Sequence, residues 1–311
     1  MSIHPRGAPP PTNPPANPVN PRGAPPPTNP PANPADPVPP VFVGLLDDAA
    51  VFPPGNASLP EAFTAHRRHR VAWYAPVVGP LLIPADAAAA VPAGFEIGLV
   101  GPIAEVARAL EAVPPGVTVR QIEAPVAKRG EDPQPGLREL LELIGSKNIQ
   151  GYAETPLTWG LHGALDVIAE ARASGVPVAP KFRTGGLAAE LFPTPAELAA
   201  VMCACRDRSL PFKLTAGLHH AIRHTDPETR FLHHGFLNVL VASATAADGA
   251  PQAQVAEILA GADAIPLASA LRKRLDQPRP LWIGFGSCSI AEPLADLRTL
   301  GLLAAPEGAV A

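Results

Sequence analysis

The feature that most restricts the fold is an eightfold alternation of short apolar runs with amphipathic stretches, starting at residue 41. Several of the runs are almost wholly apolar, as expected for parallel strands buried on both faces. Eight strand-helix units predict an α/β fold of the (β/α)8 TIM-barrel type. An open doubly wound sheet is the alternative, although such sheets usually need fewer units.

The predicted strands cover residues 41–46, 71–78, 95–100, 117–124, 149–154, 176–182, 210–215 and 281–285. The predicted helices cover residues 58–69, 84–91, 103–113, 137–144, 163–174, 194–206, 235–275 and 291–300. The segment 235–275 is much longer than the others, and its role as a lid or an oligomer contact stays open.

The N-terminal segment has a different character, since 17 of the 43 prolines fall within its first 40 residues. Residues 5–20 and 21–36 are a near-perfect tandem repeat of sixteen residues. Proline fixes φ and lacks an N–H group, so this segment has neither a hydrogen-bonding ladder to join nor a core to bury. We therefore predict a disordered proline-rich tail over residues 1–40 and a barrel domain over residues 41–311. The tail is either a spacer or a docking element for a proline-binding partner.

Charge and composition narrow the functional classes. The net charge of −4 and the scattered Lys and Arg residues predict no nucleic-acid partner. Three cysteines without disulfide or zinc spacing, and an N-terminus without an apolar signal region, predict a cytoplasmic protein. The least charged long stretch, 71–94, is interrupted by prolines, so no membrane partner is predicted. Assembly into a homo-oligomer stays open.

Polar residues collect where the predicted strands end, which is where (β/α)8 barrels carry their chemistry. Glu123 and Glu154 end the fourth and fifth strands, and Lys181 and Lys213 lie near the ends of the sixth and seventh. Two confined ammonium groups disfavour each other's charge, so the pair predicts a lowered lysine pKa, as an imine-forming nucleophile requires. The alternative is that one or both lysines form ion pairs with Asp47, Glu123 or Glu154.

Glycine-rich turns after the last three strands predict a pocket for a phosphate or carboxylate, because their backbone N–H groups can face an anion. We expect this pocket to bind a small anionic substrate. Its predicted residues are Arg183, Thr184, Gly185, Gly186, Thr215, Gly217, His219, His220, Gly286 and Ser287.

Histidines suggest a second kind of site. His220 and His224 are four residues apart and would share a helix face, which is suitable spacing for a metal pair. Asp47 and Asp48 at the end of the first strand could complete such a site for a divalent metal. The interpretation with a lysine nucleophile needs no cofactor, and a divalent metal is the alternative.

The segments Lys181-Phe-Arg-Thr-Gly185, Lys213-Leu-Thr-Ala-Gly217 and Gly284-Phe-Gly-Ser-Cys-Ser289 resemble three consecutive motifs of the class I deoxyribose-phosphate aldolases. The resemblance covers the last third of the barrel. It implies that Lys181 forms the Schiff base, that Lys213 tunes its pKa, and that the glycine and serine turns hold the substrate phosphate. Glu123 is the candidate for the carboxylate that this family carries on its fourth strand.

The sequence thus favours an enzyme of the lyase or aldolase type, acting on a small phosphorylated or carboxylated carbonyl compound through a lysine Schiff base. Lys181 and Lys213 with Glu123 and Glu154 are the predicted catalytic residues. Two alternatives stay open, a metal-dependent barrel isomerase or lyase with Asp, Glu and His ligands, and a non-catalytic binding protein.

Overall fold

Eight parallel strands close into a barrel in the structure, which is a computed structural model describing residues 38–306. The predicted (β/α)8 TIM barrel is confirmed. The barrel strands are β1 (Leu46–Asp48), β2 (Val78–Pro84), β3 (Glu96–Val100), β4 (Thr118–Pro125), β5 (Gln150–Glu154), β6 (Val178–Arg183), β7 (Phe212–Thr215) and β10 (Trp282–Ser287). The predicted tail lies outside the described residues, except for its last three positions.

Helices alternate with the strands and cover the outside of the barrel. They are α1 (Leu59–Val71), α2 (Ile103–Ala112), α3 (Gln134–Lys147), α4 (Leu161–Ala173), α5 (Pro195–Arg206), α6 (Phe236–Ala247), α7 (Gln252–Ala260), α8 (Ala264–Arg272) and α9 (Ala291–Thr299). Their apolar faces pack on the strands in one continuous core. Within residues 38–306, no helix is long and apolar enough to cross a membrane.

The first two strands lie further along the chain than predicted. Residues 40–42 form a 3-10 turn, and Gly44 turns the chain with a φ of 61° before β1 begins at Leu46. The second predicted strand, 71–78, overlaps β2 only at Val78. Pro80 lies inside β2, between the positions of Val78 and Leu81 that pair with β1 across an irregular register. Its missing N–H group therefore falls where no ladder bond is needed, and the proline does not break the strand.

The long segment after β7 differs from the single helical region predicted over residues 235–275. It contains three separate helices, α6 to α8, with breaks at Gly249 and Gly261. A short antiparallel hairpin, β8 (His224–Thr225) with β9 (Leu232–His233), precedes them. The helix predicted over 84–91 is a 3-10 segment, Ala85–Ala90.

The amino-terminal end of the barrel is closed by Arg279. Its guanidinium donates to the carbonyl oxygens of Val41 (2.6 Å), Val43 (2.9 Å) and Gly44 (3.2 Å), which precede β1. It also donates to the carbonyl oxygen of Ile283 in β10 at 2.5 Å. One side chain thus joins the beginnings of the first and last strands, and the opposite end is left for polar residues.

Candidate active site

Lys181 and Lys213 lie side by side because they are register partners in the parallel pair β6 and β7. Both side chains are buried, and a single carboxylate separates their ammonium groups. Glu123, on β4, accepts from Lys181 Nζ through Oε2 at 2.7 Å and from Lys213 Nζ through Oε1 at 2.5 Å. The Glu123 side chain is 1% exposed, so the whole bridge is shielded from water.

Asp47 extends this bridge across the barrel. It accepts from Lys213 Nζ and, at 2.7 Å, from the side-chain amide of Gln121. Gln121 also donates to Glu123 at 2.8 Å, since residues two apart on a strand share a face. The Lys213 ammonium group lies 4.5 Å from the centre of the Tyr152 ring, a cation–π contact. Lys213 is thereby held on several sides.

Glu154 connects the buried cluster to an open cleft. Its Oε2 accepts from Lys181 at 2.8 Å, and its Oε1 accepts from Arg183 Nε and a terminal guanidinium nitrogen at 3.1 and 3.0 Å. Both Glu154 and Arg183 line a cleft of about 160 Å3, together with Pro125 from the end of β4. The cleft therefore opens at the carboxyl ends of the strands. Lys181 does not line the cleft but contacts Glu154, which does.

The charges within the cluster set the protonation of its members. Burial acts to raise the pKa of Glu123, but the ammonium groups of Lys181 and Lys213 outweigh it and hold the pKa at about 2. Burial likewise acts to raise the pKa of Glu154, and Lys181 and Arg183 lower it overall. Burial raises the pKa of Asp47 despite the attraction of Lys213.

The expectation of a lowered lysine pKa is wrong. Burial acts to lower the pKa of Lys181, but the carboxylates of Glu123 and Glu154 outweigh it and raise the pKa overall. The pKa of Lys213 is raised in the same way by Asp47 and Glu123. The two cations are close, as predicted, but carboxylates interleave with them. The alternative of ion pairs with Asp47, Glu123 and Glu154 is thus the arrangement observed.

The predicted anion-binding turns meet at the same end of the barrel, where several of their polar groups bond to one another. The Thr184 N–H donates to the Thr215 carbonyl at 2.9 Å, and the Thr184 hydroxyl donates to the Ala216 carbonyl at 2.6 Å. A Cβ on Gly185 would lie 2.8 Å from the Cα of Gly217, so the turns after β6 and β7 touch backbone to backbone.

The remaining predicted anion-binding residues divide between these turns and the next loop. Gly186 follows the contact between the turns, and Gly286 in β10 is the register partner of Thr215. The Ser287 hydroxyl donates to the Ser289 carbonyl at 2.6 Å. His219 and His220 extend from the β7 end toward α9, where they approach Glu292 and Asp296 at 3.2 and 3.4 Å.

The four residues suggested for a metal do not converge. Asp47 belongs to the lysine cluster, and Asp48 accepts from His66 Nδ1 at 3.0 Å. His220 lies in the loop after β7 and His224 begins β8, so they share no helix, although their ring centres are 4.9 Å apart. Over residues 38–306, no group of three or more His, Cys, Asp or Glu side chains is arranged to hold a metal ion.

Gln121 and Tyr152 are members of the cluster that sequence reasoning did not select. Each lies two residues before a selected carboxylate on the same strand, Glu123 or Glu154. The two-residue periodicity of a strand was the available signal, because such neighbours face the same side. Arg279 had no comparable signal, since it lies in a loop and its partners are backbone carbonyls.

The chain matches no known protein-family model, and searches of curated proteins and of solved structures likewise find no match. The fold and the site geometry therefore carry the functional argument. A (β/α)8 barrel is compatible with an enzyme of the aldolase, lyase or isomerase type.

Proposed function

We propose that this barrel is a lyase of the aldolase type that acts on a small carbonyl compound bearing a phosphate or carboxylate, through a Schiff base on Lys181. The observation that carries the proposal is the buried alternation Lys181–Glu123–Lys213 behind the cleft wall. Imine formation needs a neutral amine, and a substrate that displaces Glu154 removes one of the two carboxylates that raise the Lys181 pKa. The resemblance of the segments around Lys181 and Lys213 to class I deoxyribose-phosphate aldolases supports the same assignment.

Lys181 is the better nucleophile of the two for a geometric reason. Lys213 is fixed by Asp47, Glu123 and the Tyr152 ring, and none of these residues lines the cleft. Lys181 instead pairs with Glu154, which does line it. A substrate carbonyl that displaces the Glu154 carboxylate reaches Lys181 first.

In the proposed reaction, Lys181 begins as an ammonium ion; the substrate displaces the Glu154 carboxylate, which lowers the Lys181 pKa, and the ammonium group then releases one proton to solvent through the cleft. Its nitrogen lone pair then attacks the carbonyl carbon, and the C=O π electrons move to oxygen, which takes up a proton. Loss of water from this carbinolamine gives the iminium ion. A base then takes the proton of the hydroxyl on the β carbon, that carbon leaves as the carbonyl carbon of an aldehyde, and the electron pair of the broken C–C bond moves toward the iminium nitrogen to give an enamine. Protonation of the enamine carbon and hydrolysis of the imine release the second product and free Lys181. Lys213 keeps its charge and balances the carboxylates Asp47 and Glu123.

Arg183 and the glycine turns provide the proposed anchor for the substrate anion. The Arg183 side chain is 43% exposed and already holds one carboxylate, that of Glu154, with two of its N–H groups. A planar guanidinium suits both carboxylates and phosphates, because its donors match two anion oxygens. Binding of a substrate anion to Arg183 would free Glu154 to move.

Borohydride trapping tests the proposal. The protein is incubated with a panel of small aldehydes, ketones, 2-oxo acids and sugar phosphates, reduced, and mapped by peptide mass spectrometry. The chain has only five lysines, so the adduct is assigned directly. We expect an adduct on Lys181 that Lys181→Met abolishes and that the control Lys147→Met, on the exposed part of α3, leaves in place. A panel without any adduct, or adducts spread over exposed lysines, would refute the proposal and favour a binding protein.

A further inference from the structure

Cys288, His219 and Glu292 form a second cluster of reactive side chains at the carboxyl end of the barrel. Cys288 directly follows β10, His219 lies in the loop after β7, and Glu292 is in the first turn of α9. The Cys288 sulfur is 3.7 Å from His219 Nδ1 and 3.9 Å from Nε2. His219 Nδ1 is in turn 3.2 Å from Glu292 Oε2. None of the ion pairs of the lysine cluster includes these residues.

The surroundings of the sulfur suit a thiol that ionises only when it reacts. Burial and the Glu292 charge raise the pKa of Cys288, so the resting sulfur keeps its proton. The backbone N–H groups of Gly55 and Cys288 itself act in the opposite sense and favour the thiolate. The Gly55 backbone approaches closely, because a Cβ there would lie 3.0 Å from Cys288 Cβ and 2.7 Å from the Ala50 carbonyl oxygen.

Cys288 also differs from the other two cysteines of the chain. Cys203 and Cys205 are buried in α5, whereas Cys288 is half-buried at the end of a strand. Burial raises the pKa of both helix cysteines as well, yet an arginine, rather than a histidine, is the positive neighbour of each. Cys288 is therefore the cysteine with both partial access to solvent and an imidazole in contact.

We propose that Cys288 is a reversible modification site for small disulfides, with His219 as its proton acceptor and Glu292 as the residue that orients and stabilises the imidazolium. The site is separate from the proposed imine chemistry and does not depend on it. A thiol, an imidazole and a carboxylate in sequence are the groups that nucleophilic sulfur chemistry uses.

The proposed step is a thiol–disulfide exchange with a small disulfide RSSR. The Cys288 S–H proton moves to the His219 ring, and the thiolate attacks one sulfur of the disulfide. A protein–S–S–R bond forms, the S–S bond of the reagent breaks, and the RS⁻ group leaves with the bonding pair. It takes the proton from the imidazolium, so the released product is RSH and His219 is neutral again.

The experiment follows the reaction of the intact folded protein with 5,5′-dithiobis(2-nitrobenzoate), an aromatic disulfide, from pH 5 to pH 10. One thiol per chain is expected to react in the native protein, and Cys288→Ser is expected to abolish this reaction. An imidazole partner gives a rate plateau near neutral pH, since the thiolate–imidazolium pair carries the same number of protons as the neutral pair. His219→Gln is expected to lower the rate at pH 7 by about 10-fold or more and to replace the plateau by a single rise.

His220→Gln is the matched control, because His220 is adjacent and pairs with Asp296 without contacting the sulfur. It is expected to leave both the rate and the plateau unchanged. The proposal fails if His219→Gln reacts as fast as the native chain at pH 7, or if Cys203 and Cys205 react as fast as Cys288 in the folded protein. Glu292→Gln tests the proposed role of the carboxylate and changes only a half-exposed residue. We expect it to lower the rate at the neutral-pH plateau.

Discussion

Lys181 lies opposite Lys213 in the parallel register of β6 and β7, and the two ammonium groups nevertheless keep raised pKa values. Glu123 makes this possible because each of its two oxygens accepts from a different lysine. Asp47 and Glu154 then satisfy the outer sides of the pair. Three carboxylates and three cations, counting Arg183, thus alternate across the end of the barrel.

Removing the central charge should unbalance this cluster. Glu123→Gln leaves two buried ammonium groups without the carboxylate between them, and we expect a loss of about 3–5 kcal/mol in the free energy of unfolding. The double variant Glu123→Gln with Lys213→Met restores equal numbers of positive and negative charges and should regain part of the loss. Urea denaturation of the native chain and both variants measures this. A double variant no more stable than the single one would contradict the charge-balance argument.

Acidification should weaken the fold through Glu123. Its pKa of about 2 lies below its ordinary value, so the folded state binds fewer protons than the unfolded state between those two values. The stabilisation is complete above the ordinary glutamate pKa and is lost as the pH falls toward 2. Glu154 acts in the same direction, whereas the raised pKa of Asp47 opposes them. The free energy of unfolding should therefore fall less steeply between pH 5 and pH 2 in Glu123→Gln than in the native chain, and an equal slope would argue against the assignment.

Loss of Arg279 should open the amino-terminal end of the barrel. Arg279→Met removes the hydrogen bonds that Arg279 donates to the carbonyl oxygens of Val41, Val43, Gly44 and Ile283, and we expect a cost of about 2–4 kcal/mol. Arg272→Met is the control, because Arg272 donates to a single carbonyl on an exposed surface and should cost less than about 1 kcal/mol. Thermal and urea unfolding of the two variants compares them. Equal costs would show that Arg279 does not close the barrel.

The contact between the turns after β6 and β7 leaves no room for a methyl group. Gly185→Ala would bring a Cβ against the Gly217 backbone, and we expect a destabilisation of about 1–3 kcal/mol. Gly145→Ala, in the exposed part of α3 where no atom lies within 4 Å of the added Cβ, should instead stabilise by about 0.5–1 kcal/mol. Opposite signs in unfolding experiments are the expected result. A neutral Gly185→Ala would mean that the two turns can separate freely.

The fold was predictable because eight apolar runs with helices between them leave few architectures. The errors lie where tertiary contacts override local signals. Residues 41–44 are apolar enough for a strand, but their carbonyls bind Arg279 and they turn at Gly44. The second strand was predicted over residues 71–78, whereas β2 begins at Val78 and runs through Pro80, whose position in the register removes the need for an N–H group.

The site was predictable in its members and not in its electrostatics. Strand-end polarity selected Glu123, Glu154, Lys181 and Lys213, all of which the structure brings together. Their pKa values depend on which side chain lies between which others, and a sequence gives no such distances. The two lysines were expected to lower each other's pKa, whereas three carboxylates raise the pKa of both.

The Arg279 closure also decides how the molecule can be mounted on a surface. Val41, Val43 and Gly44 contact Arg279 at the amino-terminal end of the barrel, so the chain enters the described fold at the pole opposite the lysine cluster. A cross-linker or biosensor anchor attached at residue 38 itself therefore holds the barrel by its closed end. The cleft at Glu154 and Arg183 then lies at the end of the barrel that points away from the surface.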